Sequence, residues 1–506
     1  MKINAYNSGL TNIGGGRALL LFLLFGLALY MFKNAGFPMF AVVCMIPVLV
    51  IATIITLKSP LFVFWTMTCI NYLVQWKNFP STGLPMSMYN EGMELLLLAL
   101  AIINVNIKGQ RLLNLMLLAL TIWCSFCTLE VLNDSCNLGI QFGAWYTGAR
   151  MMAFQLMYCF LVFSLYVTNP KVLIRYLFLW AGLALFSVFW VYKQEYIGLN
   201  PAENAFLYGR GFSTHVINGG TTIRYFSTFS DAANFGVNMA CTAVAFIIFG
   251  LTSKVKKYKY IFLITGFACA WAMFPSGTRT ATFCFFAGFG VYIFLSKSIK
   301  IAVPVSIIFF LLYVMLAFTT IGNGNASIRR MRSGFNKDDA SMGARADNQK
   351  VMKKHLADAP WGIGIGMGMD NVPANNKWRR MATIPPDSEY VFIWIRTGKI
   401  GITIFLITTF IMFCGASWIV LFKIKSNSLR GIGAGLCCAF VSLQLGGYAN
   451  QVLMQFPNCL LFYGGLTLVY GLPLYEKEWI EHESKLIAIQ EEKKRLKEEK
   501  KRAKRV

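Results

Sequence analysis

Charge is scarce in this 506-residue chain, where Asp, Glu, Lys and Arg make up only 14% of residues against 56% hydrophobic and 15% aromatic. A soluble domain carries about 25% charged residues, so composition excludes an ordinary water-soluble globule. Acidic residues are rarer still, 22 against 47 Lys and Arg, and there are three histidines in all. Thirteen cysteines are present, mostly within apolar runs. The one C-x-x-C, Cys124 and Cys127, sits in such a run without a second pair, which favours helix packing over redox or metal work. Cys136 is alone in a polar loop. No A-x-A-like site follows the first apolar segment, so it reads as an uncleaved helix rather than a signal peptide.

What is abundant is apolar sequence long enough to cross a bilayer. About fourteen segments, from Arg17–Met31 to Pro457–Leu472, approach the roughly 20 residues that a spanning helix needs. The expected class is an all-α polytopic membrane protein with about 12–14 spanning helices. The expected layout is helices over 1–320, with a loop at about 192–229, then a long polar loop over 321–399. Helices over 400–475 and a charged tail over 476–506 follow. Lys58, Lys108, Arg111, Lys171, Arg175, Lys254, Lys256, Lys257, Lys259, Lys297, Lys300, Lys423, Lys425 and Arg430 all fall on one side of this register. Basic short loops face the cytoplasm, so both termini are expected there and the 321–399 loop outside. Every Asp and Glu from Glu91 to Glu389 falls on the outer side in the same register.

The net charge of +25 does not imply nucleic acid, because it is spread over membrane loops. The tail, ending KEEKKRAKRV, reads as a solvated helix near anionic lipid; its apolar positions are too few for a sustained heptad.

Chemistry-bearing residues cluster at the outer ends of segments. IRYFSTFSDAANFG sets Arg224 just before a helix that Ser230 or Asp231 caps. His215 is the loop's one histidine and a candidate substrate contact, against the plainer expectation of a solvated ring. PSGTRTA places Arg279 at the head of an apolar helix, where a guanidinium beside free backbone N–H groups suits a phosphate and lipid snorkelling is the alternative. GARADNQKVMKKHLADAP reads as an amphipathic helix led by Arg345, with Lys350, Lys353 and Lys354 on its polar face, stopping at Ala359–Pro360. WGIGIGMGMD lacks the βαβ setting of a dinucleotide loop and is expected to be a flexible gate or turn. Asp387 and Glu389 precede an aromatic helical run as cap and first-turn acid, or as catalytic carboxylates.

Taken in order, IRYFSTFSDAANFG, SGTRTA, GARADNQKVMKKHLADAPWGIGIG and DSEYVFIWIRTGKIGI resemble the O-antigen polymerase and O-antigen ligase superfamily of bacterial envelope glycosyltransferases. The resemblance covers about Arg224 to Ile402. It implies an undecaprenyl-pyrophosphate-linked glycan donor, a glycan or lipid-linked acceptor, and transfer on the periplasmic side of the bacterial inner membrane. It implies neither nucleotide sugar nor metal cofactor; the partners are membrane lipid and other polysaccharide assembly proteins. Arg224, Asn234, Arg279 and Arg345 match family positions, with Asn234 displaced by one residue. Ligases carry His where Asp387 stands and often Asn where Ser388 stands, which tilts the reading toward a polymerase, with ligase as the alternative. Displacing a pyrophosphate needs cations, for which Arg279, Arg345 and Arg224 serve, and a weak base, for which Asp387 or Glu389 serves. Substrate contacts are expected from Arg224, Asn234, Lys350 and His215. A lipid-linked glycan transporter is the reading of another class; it calls for mid-bilayer charges or repeated halves, which the sequence does not display.

Overall fold

The computed structural model describes residues 54, 56–79, 86–104, 109–217, 222–297, 299–324, 328–329, 332, 340–383 and 388–503, with scattered positions in 19–33. The chain divides into two compact units, residues 1–64 and 65–506. The first is helical at most of its described positions. The second is a bundle whose elements are α1 Met86–Asn104, α2 Leu115–Leu129, α3 Phe142–Tyr166 with a π turn at Arg150–Phe154, α4 Pro170–Tyr192 and α5 Pro201–Leu207. Then come a two-stranded antiparallel ribbon, β1 Val216–Ile217 with β2 Thr222–Ile223, and α6 Ala232–Thr252, α7 Lys256–Ala272, α8 Arg279–Leu295 and α9 Ile299–Phe318. The chain closes with α10 Ala340–His355, α11 Glu389–Trp418, α12 Asn427–Ala449, α13 Gly464–Gly471 and α14 Glu476–Ala503.

The all-α polytopic class is what the structure has. Among the described residues six helices are long and apolar enough to cross a membrane, with Pro60–Leu73 and α8 apolar but shorter. The first stretch of the sequence count, which reached twelve to fourteen, falls largely outside the described residues.

Helix α6 is the axis of the bundle, with 89% of its apolar window buried, and α12 follows at 72%. It packs against α7, α8 and α12. The α6–α7 approach is close enough that a Cβ at Gly266 would lie 2.6 Å from Ile247 Cγ1. Small residues that let helix backbones meet are the usual device where lipid removes the hydrophobic drive.

Helices α6, α8 and α11 begin at one end of the bundle. Asp231 caps α6 by accepting from Ala233 N and Asn234 N, as expected, and Ser388 caps α11, with Glu389 as its first residue. At the opposite end α14 is docked rather than merely solvated. Its Trp479 Nε1 donates to Ser428 Oγ at 3.0 Å, and Glu476 Oε1 accepts from Lys425 N and Ser426 N at 2.7 and 2.6 Å. Lys254 faces Glu483 at 3.8 Å. Thus the basic turns at Lys254 and Lys425 gather with the tail, at the end away from the α6, α8 and α11 caps.

The 321–399 stretch builds a small core of its own. Met352 and Leu356 from α10 and its 3₁₀ extension pack with Ile363, Met367, Val372, Trp378 and Met381, with Val391 and Ile395 of α11, and with Cys136. Helix α10 therefore turns its apolar side onto protein, with Lys350, Lys353 and Lys354 exposed. The glycine-rich segment is a seated turn. Helix α11 breaks at Gly398 (φ 65°, ψ −169°), and the freed carbonyls of Ile395 and Arg396 accept from Ile363 N and Gly364 N at 3.0 Å each. Gly366 (φ 84°) presses so tightly on α3 that a Cβ would fall 1.9 Å from Ala144 O. Only glycine tolerates that φ and that approach together.

Candidate functional site

The turn Pro275–Thr278 leading into α8 is built from its own hydroxyls. Ser276 Oγ donates to Met273 O at 2.6 Å and accepts from Thr278 N at 3.1 Å. Thr278 Oγ1 donates to Ala232 O at 2.8 Å, which ties the turn to the head of α6. Arg224 locks onto the same turn. Its Nε donates to Ser276 O at 3.2 Å and its Nη2 to Thr278 Oγ1 at 3.0 Å, while Nη1 reaches Thr214 O at 2.9 Å. Tyr225 N adds a bond to Pro275 O at 3.1 Å. Arg279, half-buried, is the next residue, the first of α8. The structure thus joins two of the expected arginines through one four-residue turn, although 55 positions separate them in the sequence.

Below that turn runs an amide web. Asn234 Nδ2 donates to Ser230 Oγ at 3.0 Å and to Phe456 O at 2.9 Å. Asn458 Nδ2 donates to Asn234 Oδ1 at 2.6 Å and to Val452 O at 3.1 Å, and Asn238 Nδ2 donates to Asn458 Oδ1 at 2.7 Å. Ser230 Oγ also meets Gln455 Oε1 at 2.6 Å. Asn234 is wholly buried in this web. Lys77 Nζ donates to Ser230 O at 2.8 Å and stands 3.7 Å over the Phe206 ring. Burial pulls its ammonium down to about 8 against the opposing pull of Asp231. Lys77, Gln455 and Asn458 were not foreseen in the sequence; each reaches the site from more than 150 residues away.

His215 is buried, not solvated, and its ring is fully occupied. Nε2 accepts from Ala232 N at 3.1 Å, and Nδ1 lies 3.0 Å from Gly211 O and 2.8 Å from Thr214 Oγ1. Nδ1 therefore carries the proton and the ring serves as a cap on α6. Burial pushes the imidazole down to about 4, with Arg224 and Lys77 adding to the effect and the Gly211 carbonyl and Asp231 opposing it. Glu389 is also turned inward: Oε2 accepts from Leu453 N at 3.0 Å, in the same 452–458 segment that holds the amide web. Asp387 lies outside the described residues. Arg345 is a position in the first half of α10, and its side chain lies outside them as well. Lys350 is exposed and pairs with Asp347 at 3.1 Å.

Beneath Arg279 the bundle opens a cleft of about 410 Å³ between α8 and α9, lined by Phe283, Phe286, Gly290, Ile293, Ser306, Phe310 and Tyr313. On α8 these positions follow Arg279 at helical spacing, so one face carries a cation at its head and an apolar channel along its length. Among the described residues no group of His, Cys, Asp and Glu is placed to hold a metal ion.

No curated protein matches the chain. A family model does: residues 264–406 match the one described as O-Antigen ligase. The matched stretch spans the Arg279 turn, α8, α10, the glycine-rich segment and the head of α11, and stops short of Arg224 and Asn234. With the order of motifs and the helical membrane architecture, that match supports a likeness to the O-antigen polymerase and ligase superfamily over this stretch.

Proposed function

We propose that the protein polymerises lipid-pyrophosphate-linked oligosaccharide repeat units at the periplasmic face of the bacterial inner membrane, extending an O-antigen, capsule or exopolysaccharide. The observation that carries the reading is the pair Arg224 and Arg279 on one hydrogen-bonded turn at the head of α8, the helix whose next turns line an apolar cleft. A lipid pyrophosphate needs both parts, a cationic head site and an apolar path for its tail.

In this reading the acceptor hydroxyl oxygen attacks the anomeric carbon of the donor sugar. The bond from that carbon to the pyrophosphate oxygen breaks, and the lipid pyrophosphate departs with the electron pair. Arg279 and Arg345 grip the departing oxygens, since planar guanidinium groups meet two oxygens at once. Arg224 holds the turn and supplies long-range positive charge. The hydroxyl proton passes to Asp387. Glu389 and Asn234, bonded to the 452–458 segment, fix the heads of α11 and α6 relative to each other, and His215 fixes α6 from the other side. Lys350 meets the glycan from the exposed face of α10.

The test is product analysis with purified protein and lipid-linked repeat units. Wild type should build long chains on the carrier; Arg279→Lys and Arg345→Lys should each lose about a hundredfold in rate, because a point charge does not replace a two-oxygen grip. Arg329→Lys, a loop control, should be unaffected. Near-normal polymer from a well-folded Arg279→Lys, Arg345→Lys protein would overturn the pyrophosphate role. Transfer of preformed chains to a lipid A-core acceptor, without chain growth, would make the protein a ligase instead.

A further inference from the structure

The site above leaves a largely buried guanidinium unused. Arg396 stands two residues before the break in α11, beneath the glycine-rich segment, and its Nε and Nη1 are shut off from solvent with no hydrogen-bond partner. The guanidinium lies over the Phe392 ring, 5.2 Å from its centre. Gly368 lies directly beside it: a Cβ there would come 3.4 Å from Nη2, in ordinary contact. No carboxylate among the described residues pairs with it. Asp134, near the neighbouring Cys136, accepts at Oδ1 from Leu138 N and Gly139 N at 2.7 and 3.0 Å.

A guanidinium does not escape burial by losing its proton, and an uncompensated buried charge is among the costliest features a fold can carry. Buried donors without partners call for an explanation in a ligand or an ion. We propose that Arg396 is the centre of a second oxyanion site, separate from the Arg224–Arg279 turn, that takes a carboxylate or phosphate group between α11 and the Gly362–Gly368 segment. The planar donor array matches two oxygens of either group. Lys377, which like Arg396 acts electrostatically on Cys136, adds positive potential on the same side. The oxyanion has two sources, an acidic sugar of the glycan or the headgroup of a phospholipid at the membrane edge, and the segment that covers Arg396 closes over either.

Hydrogen exchange read by mass spectrometry on the full chain in maltoside micelles tests this locally. Peptides covering residues 363–372 and 389–398 are followed with sodium glucuronate, sodium phosphate, or phosphatidylglycerol doped into the micelles, each against sodium chloride at equal ionic strength. At about ten times the dissociation constant, bound anion should slow exchange through local opening about tenfold in both peptides. The slowing should vanish in Arg396→Gln and persist in Arg279→Gln, which separates this site from the proposed catalytic one. Slowing by glucuronate alone assigns a glycan carboxylate, and slowing by phosphatidylglycerol or phosphate alone assigns a phosphate. Arg396→Gln, relieved of an unpaired charge, should melt no lower than wild type in anion-free buffer. Absence of slowing with all three probes in wild type, or equal slowing in a folded Arg396→Gln protein, would overturn the proposal; the first outcome is read from wild type alone and does not depend on how the variants fold.

Discussion

At the head of α6, Asn234, Asn238 and Asn458 pass hydrogen bonds from one to the next and end on the carbonyls of Val452 and Phe456. At the head of α11, on the loop side, Arg396 keeps two buried nitrogens without a partner. The first region draws on helices packed deep in the bundle, where an unpaired amide would cost full desolvation, so every member is matched. The second is covered by a loop whose seat depends on glycine, and its polar group is left open to something outside the chain. One region is finished by folding; the other is finished by a ligand.

The hardest way to break that contrast is to unseat the cover. Gly366→Ala introduces a Cβ 1.9 Å from Ala144 O at a φ of 84°. Clash and backbone strain together should cost about 4 kcal/mol, seen as a lower melting temperature in detergent and new proteolytic cutting within 363–372. An unchanged melting temperature would mean that the segment seats some other way.

Asn458→Ala attacks the finished region. It strands Asn234 Oδ1, Asn238 Nδ2 and Val452 O at once and should cost about 3 kcal/mol in thermal unfolding. If Asn458→Ala costs no more than an exposed polar substitution, the web does not anchor the site.

The smallest effect comes with pH. His215, ordinarily near 6.5, sits at about 4 in the folded chain, so its neutral form is the folded one. Stability from this group is complete above pH 6.5 and drains away as pH falls toward 4. Melting temperature measured across that window should fall more steeply in wild type than in His215→Gln, and parallel slopes would rule the histidine out as the cause.

Low charge together with apolar runs of spanning length disclosed the helical membrane class, and local chemistry disclosed a cap at Ser230 or Asp231 and the end of α10 before Pro360. Motif order disclosed which arginines to watch. Neither route reached Lys77, Gln455 or Asn458, whose bonds to the α6 head close over 153 to 225 residues of chain. Spacing rules describe neighbours on one helix and are blind to which helices meet. His215 read as a solvated loop residue for the same reason: its burial depends on Phe206 and Phe226, which pack edge-on to its ring from either side in the sequence. Nothing in the sequence singles out Arg396, because the cover that isolates it comes from residues about thirty positions earlier, folded back over it.

The cleft along α8 and α9 has Phe310 and Tyr313 exposed on its rim, at 65% and 42%. A guest with an isoprenoid or acyl chain enters such a cleft sideways, from the plane of the bilayer, and never as a free solute. Its occupancy then follows the mole fraction of guest in the surrounding lipid or detergent rather than its bulk molarity. Adding empty micelles at fixed protein and substrate should therefore slow the reaction by surface dilution, with nothing about the protein having changed.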